Sequence, residues 1–130
     1  MQAVLKNARI SPIKARVIAK IIRKKSAEKA LIMLKLMPKK SAKLLYEVLL
    51  SAIANAKNNF GQDVKLLYIS NVQINKATVY KRHLPRSRGR VAPIKKQTSH
   101  IRIEVAVKKD EQKEKNKKKK EVISKKEQKS

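Results

Sequence analysis

Between Val64 and Ile103 the chain runs for forty residues without one acidic side chain. Inside that run, "RHLPRSRGRVAPIKKQTSHI" (Arg82–Ile101) holds four of the chain's eight arginines in its first nine residues. Two prolines, one glycine and scattered apolar residues leave it no means of building a core of its own. A segment of this kind can only be an appendage to a core made elsewhere. Packing it compactly would crowd like charges unless a polyanion neutralised them.

The surplus is not local. Thirty-five Lys and Arg against nine Asp and Glu give a formal charge of +26, where small soluble domains carry roughly 2–8 charges in magnitude. Residues 1–107 alone hold twenty-four basic and four acidic residues, net +20. The folded part is therefore itself basic, and its partner must be nucleic acid, an anionic membrane or an acidic protein.

The length fits one domain with a tail. Domain boundaries are expected at 1–108, including an arm at about 75–100, and at 109–130 for the tail. From Lys108 to Ser130 there are eleven lysines and five acids, with Val122 and Ile123 the only sizeable aliphatics. Such a segment is too polar to offset its ordering entropy and is expected to be disordered or partly helical. No apolar run approaches the ~18 residues of a membrane span. The start, "MQAVLKNARISP", lacks the features of a secretory signal. Absence of cysteine rules out disulfides and thiolate–metal sites and fits a reducing interior.

Gln2–Ile10 is a candidate short strand. Ser11–Pro12 reads as an N-cap followed by proline at the first helical position. Ile13, Val17 and Ile21 at fourfold spacing, with Ile18 and Ile22 beside them, predict an amphipathic helix with a basic opposite face. Ser26 is expected to cap a second helix that buries Ala30, Leu31 and Leu34 and ends at Pro38. Ser41 is expected to cap the longest helix, burying Leu45, Val48, Leu49, Ala52, Ile53 and Ala56 and stopping at Gly61. From Val64 the period becomes two: Val64, Leu66, Tyr68, Val72 and Ile74 share a parity, and Ile101, Ile103, Val105 and Val107 alternate on the return. The fold class is α+β: three helices on a small antiparallel sheet, a long β-hairpin arm and the basic tail. The arm should project roughly 25–30 Å at ~3.3 Å per residue. As an isolated ribbon it should be poorly ordered until a partner embeds it.

Catalysis has no residues to stand on. Glu28, Glu47, Asp63 and Glu104 fall on different elements, and Gly61 and Gly89 are the only glycines. No phosphate-cradling glycine loop or nucleophile–base set is present. His83 and His100 without cysteine or nearby aspartate do not make a metal site. No enzyme activity, cofactor or metal is expected.

The basic ribbon is more specific. Lys81, Arg82, Arg86, Arg88 and Arg90, with Lys95, Lys96 and Arg102 on the return, put cations on both edges. Arginine gathers here while lysine dominates elsewhere, and guanidinium binds phosphate bidentately and stacks on bases. Few aromatics argue against a stacking-based single-strand binder, so structured RNA read by shape and phosphate fits better. For Tyr80, stacking and plain cross-strand packing both stand. A membrane role for Ile13–Lys25 is disfavoured because that helix lacks Trp or Phe anchors.

"ARISPIKAR" (Ala8–Arg16), "SAIANAKNN" (Ser51–Asn59) and "PRSRGRVAPIKKQTSHI" (Pro85–Ile101) resemble, in order and spacing, the L-twenty-two family of large-subunit ribosomal proteins. The resemblance covers about residues 2–108; its P-R-x-[KR]-G-R turn followed by T-S-H is the most specific part. It implies an α+β domain on the solvent side of the large subunit and a hairpin reaching through rRNA to the nascent-peptide exit tunnel. It also implies contact with several rRNA domains during assembly, with neighbouring ribosomal proteins, and with the nascent peptide, as a monomer within the ribosome.

By position, Pro85, Arg86, Ser87, Arg88, Gly89, Arg90 and Val91 would line the tunnel. The rRNA-binding set would comprise Arg9, Ser11, Lys14 and Arg16; Lys76, Lys81, Arg82, His83, Arg86, Arg88 and Arg90; and Lys95, Lys96, Thr98, Ser99, His100 and Arg102. Gln97 stands where relatives frequently carry a base and is assigned no phosphate. Lysine and isoleucine richness points to an AT-rich genome, hence a cytoplasmic bacterial ribosome or, as the second possibility, plastid stroma. The alternative function is an architectural DNA-binding protein whose basic β-ribbon uses Leu84 or Pro85 as a wedge. Such ribbons usually act as dimers, and no extra dimerisation surface is visible.

Overall fold

In the computed structural model of the chain, residues 1–108 and 121–128 are described. Strand β1 (Gln2–Ala8) is followed by helices α1 (Pro12–Ile22), α2 (Ala27–Leu36) and α3 (Lys40–Phe60), then strands β2 (Leu67–Pro85) and β3 (Val91–Val107). The antiparallel sheet has the order β1-β3-β2. The central strand β3 thus carries Ile101, Ile103 and Val105, all nearly or fully buried, as the floor of the core. Helix α3 lies across β1 and β3, α1 lies against β2, and α2 packs on α3. Of the expected tail, residues 109–120 and 129–130 fall outside the described residues, and 121–127 form a helical run.

Helix α3 follows its pattern: Leu45, Val48, Leu49, Ala52, Ile53 and Ala56 are all buried. Gly61 ends it at φ +60°, the left-handed conformation that glycine adopts without Cβ strain. Its N-cap, however, is Lys39; Ser41 is buried inside the first turn. Ser11 and Ser26 do hold N-cap positions, but neither side chain makes a capping hydrogen bond.

Helix α1 departs more sharply. Its buried stripe is Pro12, Ala15, Ile18, Ala19 and Ile22, whereas Ile13 is 69% and Val17 57% exposed. Short alanines let the helix lie close to the sheet between Ile18 and Ile22, which stay inside, while Ile13 and Val17 are left outside. Strand β2 corrects a second expectation. Val64–Leu66 is a 3₁₀ turn, and the strand buries Leu67 and Ile69, then Val72 and Ile74. An irregularity between Ile69 and Asn71 inserts a residue opposite β3 and switches the inward parity. Ser70 fills that bulge, its hydroxyl donating to Glu104 O at 3.0 Å.

The outer edge of β2 is closed off by α1 and the loop after it. Lys24 N–H donates to Ile69 O and Ile69 N–H to Lys25 O, at 3.0 and 2.9 Å. The Arg23 guanidinium donates to Val72 O at 2.8 Å, and Arg16 donates twice to Ile74 O at 3.2 and 3.3 Å. Cations over a sheet edge satisfy its carbonyls and deter edge pairing with another chain. Past Ile74 that cover stops, and the ribbon continues alone as the arm.

The ladder is paired from Lys76↔Ser99 out to Pro85↔Val91, with a second register shift between Lys76 and Val79. At ~3.3 Å per residue the arm extends about 30 Å. Hydrogen exchange of the free protein should therefore split β3. Amides of Ile101–Val105 should be strongly protected, while those of Val91–Lys96 exchange within minutes, since no apolar layer covers them. Equal protection along the strand would show that the arm is stable by itself.

Candidate nucleic-acid interface

Cross-strand register decides which charges meet. On one face of the ribbon Lys81 stands directly opposite Lys95, followed by His83↔Pro93 and Pro85↔Val91. Like charges placed directly across a ladder destabilise it. On the other face Tyr80 pairs with Lys96, Arg82 with Ile94 and Leu84 with Ala92. The Arg82 guanidinium lies 5.7 Å from the Tyr80 ring centroid, within cation–π range. Every residue from Lys81 to Val91 is exposed. An ion pair, Arg102 Nε to Glu104 Oε1 at 3.1 Å, lies on the body and not on the arm.

The tip is a tight turn. Arg90 N–H donates to Ser87 O at 3.4 Å and Arg86 N–H to Arg90 O at 2.7 Å. Both central residues have positive φ, Arg88 at 60° and Gly89 at 72°, as a type I′ hairpin turn requires. A Cβ on Gly89 would meet nothing within 4 Å, so conformation and not space calls for glycine there. Arginine in the left-handed region costs on the order of 1 kcal/mol, and asparagine is the usual occupant.

The structure sorts the other expected contact residues into three groups. Lys14 is exposed on α1, and Lys76 is exposed at the arm's root. A second group is engaged within the protein. Ser11 Oγ donates to Gln97 Oε1 at 3.4 Å; Arg16 caps Ile74 O; Arg102 holds Gln2 Oε1, with Nε at 2.9 Å, as well as Glu104. His100 Nδ1 accepts from Asn7 N–H at 3.1 Å.

The third group is buried. Thr98 and Ser99, expected as direct rRNA contacts, are 2% and 0% exposed. Thr98 Oγ1 donates to Thr78 O at 2.6 Å across the register shift, and Ser99 Oγ is enclosed without a partner among the described residues. These side chains fix the root of the arm instead of facing outward. Only the burial of their neighbours in three dimensions reveals this, because Ser99 pairs with both Ala8 and Lys76 and so sits in the middle of three strands.

Sequence reasoning also missed a groove at the root, lined by Asn7, Arg9, Tyr80, Arg82, Lys96 and Thr98. Its parts come from β1, the residue just after it and both strands of the arm, the first two more than seventy positions from the arm in sequence, and no local signal joins them. Neither a metal-holding group of His, Cys, Asp and Glu nor a helix able to span a membrane occurs among the described residues.

A small α+β body with a projecting, acid-free β-ribbon defines a class of basic proteins that carry a β-hairpin arm. Comparison with known proteins narrows the class. The family model described as Ribosomal protein L22p/L17e matches residues 3–106. The chain is 50% identical over 104 residues to the large ribosomal subunit protein uL22 of Petrotoga mobilis, covering 80% of this chain and 70% of that one. With uL22 of Ligilactobacillus salivarius it shares 45% over 107 residues, 82% of this chain and 93% of that one. With uL22 of Metamycoplasma hominis it shares 47% over 97 residues, 75% of each. The chain belongs to the Ribosomal protein L22p/L17e family.

Proposed function

We propose that this protein binds large-subunit rRNA, that its arm threads through folded RNA so as to bridge several rRNA domains during assembly, and that the tip Pro85–Val91 lines the exit tunnel beside the nascent peptide. Family membership makes the chain a structural constituent of the large ribosomal subunit and not an enzyme. The finer reading is carried by one observation, the opposition of Lys81 and Lys95 on an acid-free ribbon with both outer edges uncovered. RNA supplies what the ribbon lacks: counter-charge for its cations and acceptors for its free edge N–H groups.

The exposed Ile13 and Val17 on α1 and Ile32 and Leu36 on α2 offer apolar surface to neighbouring ribosomal proteins. The bacterial relatives support a cytoplasmic ribosome as the location. Sucrose-gradient fractionation of lysate in high salt tests the proposal. Salt strips polycations held by counterion release alone, so a threaded arm keeps the chain with large subunits. Loss to the top of the gradient, or migration with DNA, would replace this reading with the architectural DNA-binding one.

A further inference from the structure

The groove at the root of the arm has the makings of a nucleotide site. Arg9, Arg82 and Lys96 converge on it, together with Asn7 and the Tyr80 ring. Among the described residues Arg9 and Lys96 have no hydrogen-bond or ion-pair partner, and the same holds for the Asn7 side-chain amide. Thr98 lines the groove with its hydroxyl already committed to Thr78 O. Arg82 spends one nitrogen on Lys81 O at 2.9 Å and rests over the Tyr80 ring.

The wall on the β1 side is built by an unusual backbone. Asn7 takes φ +54°, inside an irregularity between Leu5 and Ala8, and its N–H is held by His100 Nδ1. Left-handed backbone at a non-glycine residue, fixed by a hydrogen bond to a distant strand, marks a preformed feature. Tyr80 is 42% exposed, and it is the only flat aromatic surface in the groove.

Phosphate recognition alone would need the cations but not the ring. A duplex would satisfy the cations but keep its base faces stacked away from the ring. Both halves of the groove are used together by one unstacked ribonucleotide. Resting on the rRNA-binding reading above, we infer that this groove holds a single extruded ribonucleotide, its base replacing the Arg82 guanidinium over Tyr80 and its phosphate between Arg9 and Lys96. The Asn7 amide, with donors and an acceptor, is left to meet the base edge. With one aromatic platform and no second beside it, the site takes one base and not a run of them.

The test uses the full chain with two probes, octauridylate RNA and an abasic ribose-phosphate backbone of equal length. Since the sequence holds no tryptophan, Tyr80→Trp places a single reporter in the groove. Octauridylate should quench its emission, whereas the abasic probe binds without quenching. Tyr80→Leu should weaken octauridylate binding about tenfold, the scale of one base–aromatic stack, and leave the abasic probe unaffected. Arg9→Gln should weaken both probes and lower the salt slope by about one. Equal response to the two probes, in emission and in the Tyr80→Leu affinities, would overturn the inference and leave a phosphate-only groove. Binding of the wild-type chain to large-subunit rRNA is measured alongside: if that fails the rRNA reading falls, and if it holds while the probes respond alike only the nucleotide site falls.

Discussion

Replacing Arg82, Arg86, Arg88 and Arg90 together by glutamine should lower the affinity of the full chain for large-subunit rRNA about a thousandfold at 0.1 M salt, and hardly at all near 1 M. Each phosphate neutralised contributes a slope of roughly 0.9 in log affinity against log salt, so four lost contacts reduce the slope by about three to four. The ribbon itself should survive. All four side chains are exposed, and none supplies a backbone hydrogen bond that the ladder needs. Glutamine removes charge while keeping length, and at Arg88 it retains the left-handed strain, so tip geometry stays comparable. Filter binding across a salt series separates this from general damage. A distorted arm would weaken binding at every salt concentration, whereas removal of charge alone makes the two curves converge. An unchanged slope would mean that the arm's arginines touch no phosphate, and the threading proposal would fail with them.

How much of this was legible in the sequence depends on whether a signal was local. Helix α3 was, because eight buried positions over five turns repeat at one period and Gly61 stops them. The return strand was also, since Ile101, Ile103 and Val105 alternate cleanly. Helix α1 was legible only in part: Ile18 and Ile22 are buried, but Ile13, Val17 and Ile21, which look like the same stripe, stay outside because close approach to the sheet selects Ala15 and Ala19. Parity along β2 misled because the residue opposite β3 near Ser70 is an insertion, which period counting cannot see. At the interface, the basic ribbon was visible as composition, but its energetics were not. The opposition of Lys81 and Lys95, the burial of Thr98 and Ser99, and the meeting of Arg9 with Tyr80 all follow from register and from β1 lying beside β3.

The largest stability effect should come from the point where body and arm share a strand. Ile103 is fully buried and pairs with Ala3 on one side and Val72 on the other, so Ile103→Ala opens a cavity in the centre of the sheet's packed face. Such truncations cost about 2–5 kcal/mol, against a total of about 5–15 for a small domain. Here the total is already reduced by repulsion among charges summing to +20 over residues 1–107. In dilute buffer without RNA the variant should therefore be substantially unfolded. Sodium sulfate should restore it, by screening the repulsion and by strengthening apolar burial. Saturating rRNA should restore it too, because a ligand that binds only the folded state adds its binding free energy to stability. Val4→Ala is the matching control: Val4 lies next to Ala3 on β1 but points outward at 49% exposure, and it should cost about 0.5 kcal/mol or less. Urea unfolding followed by far-ultraviolet circular dichroism, at low salt and with sulfate, reads all three effects. If the wild-type midpoint did not rise with sulfate, self-repulsion would not be what limits this domain. The case for a fold whose stability is completed by its polyanion would then rest on the arm alone.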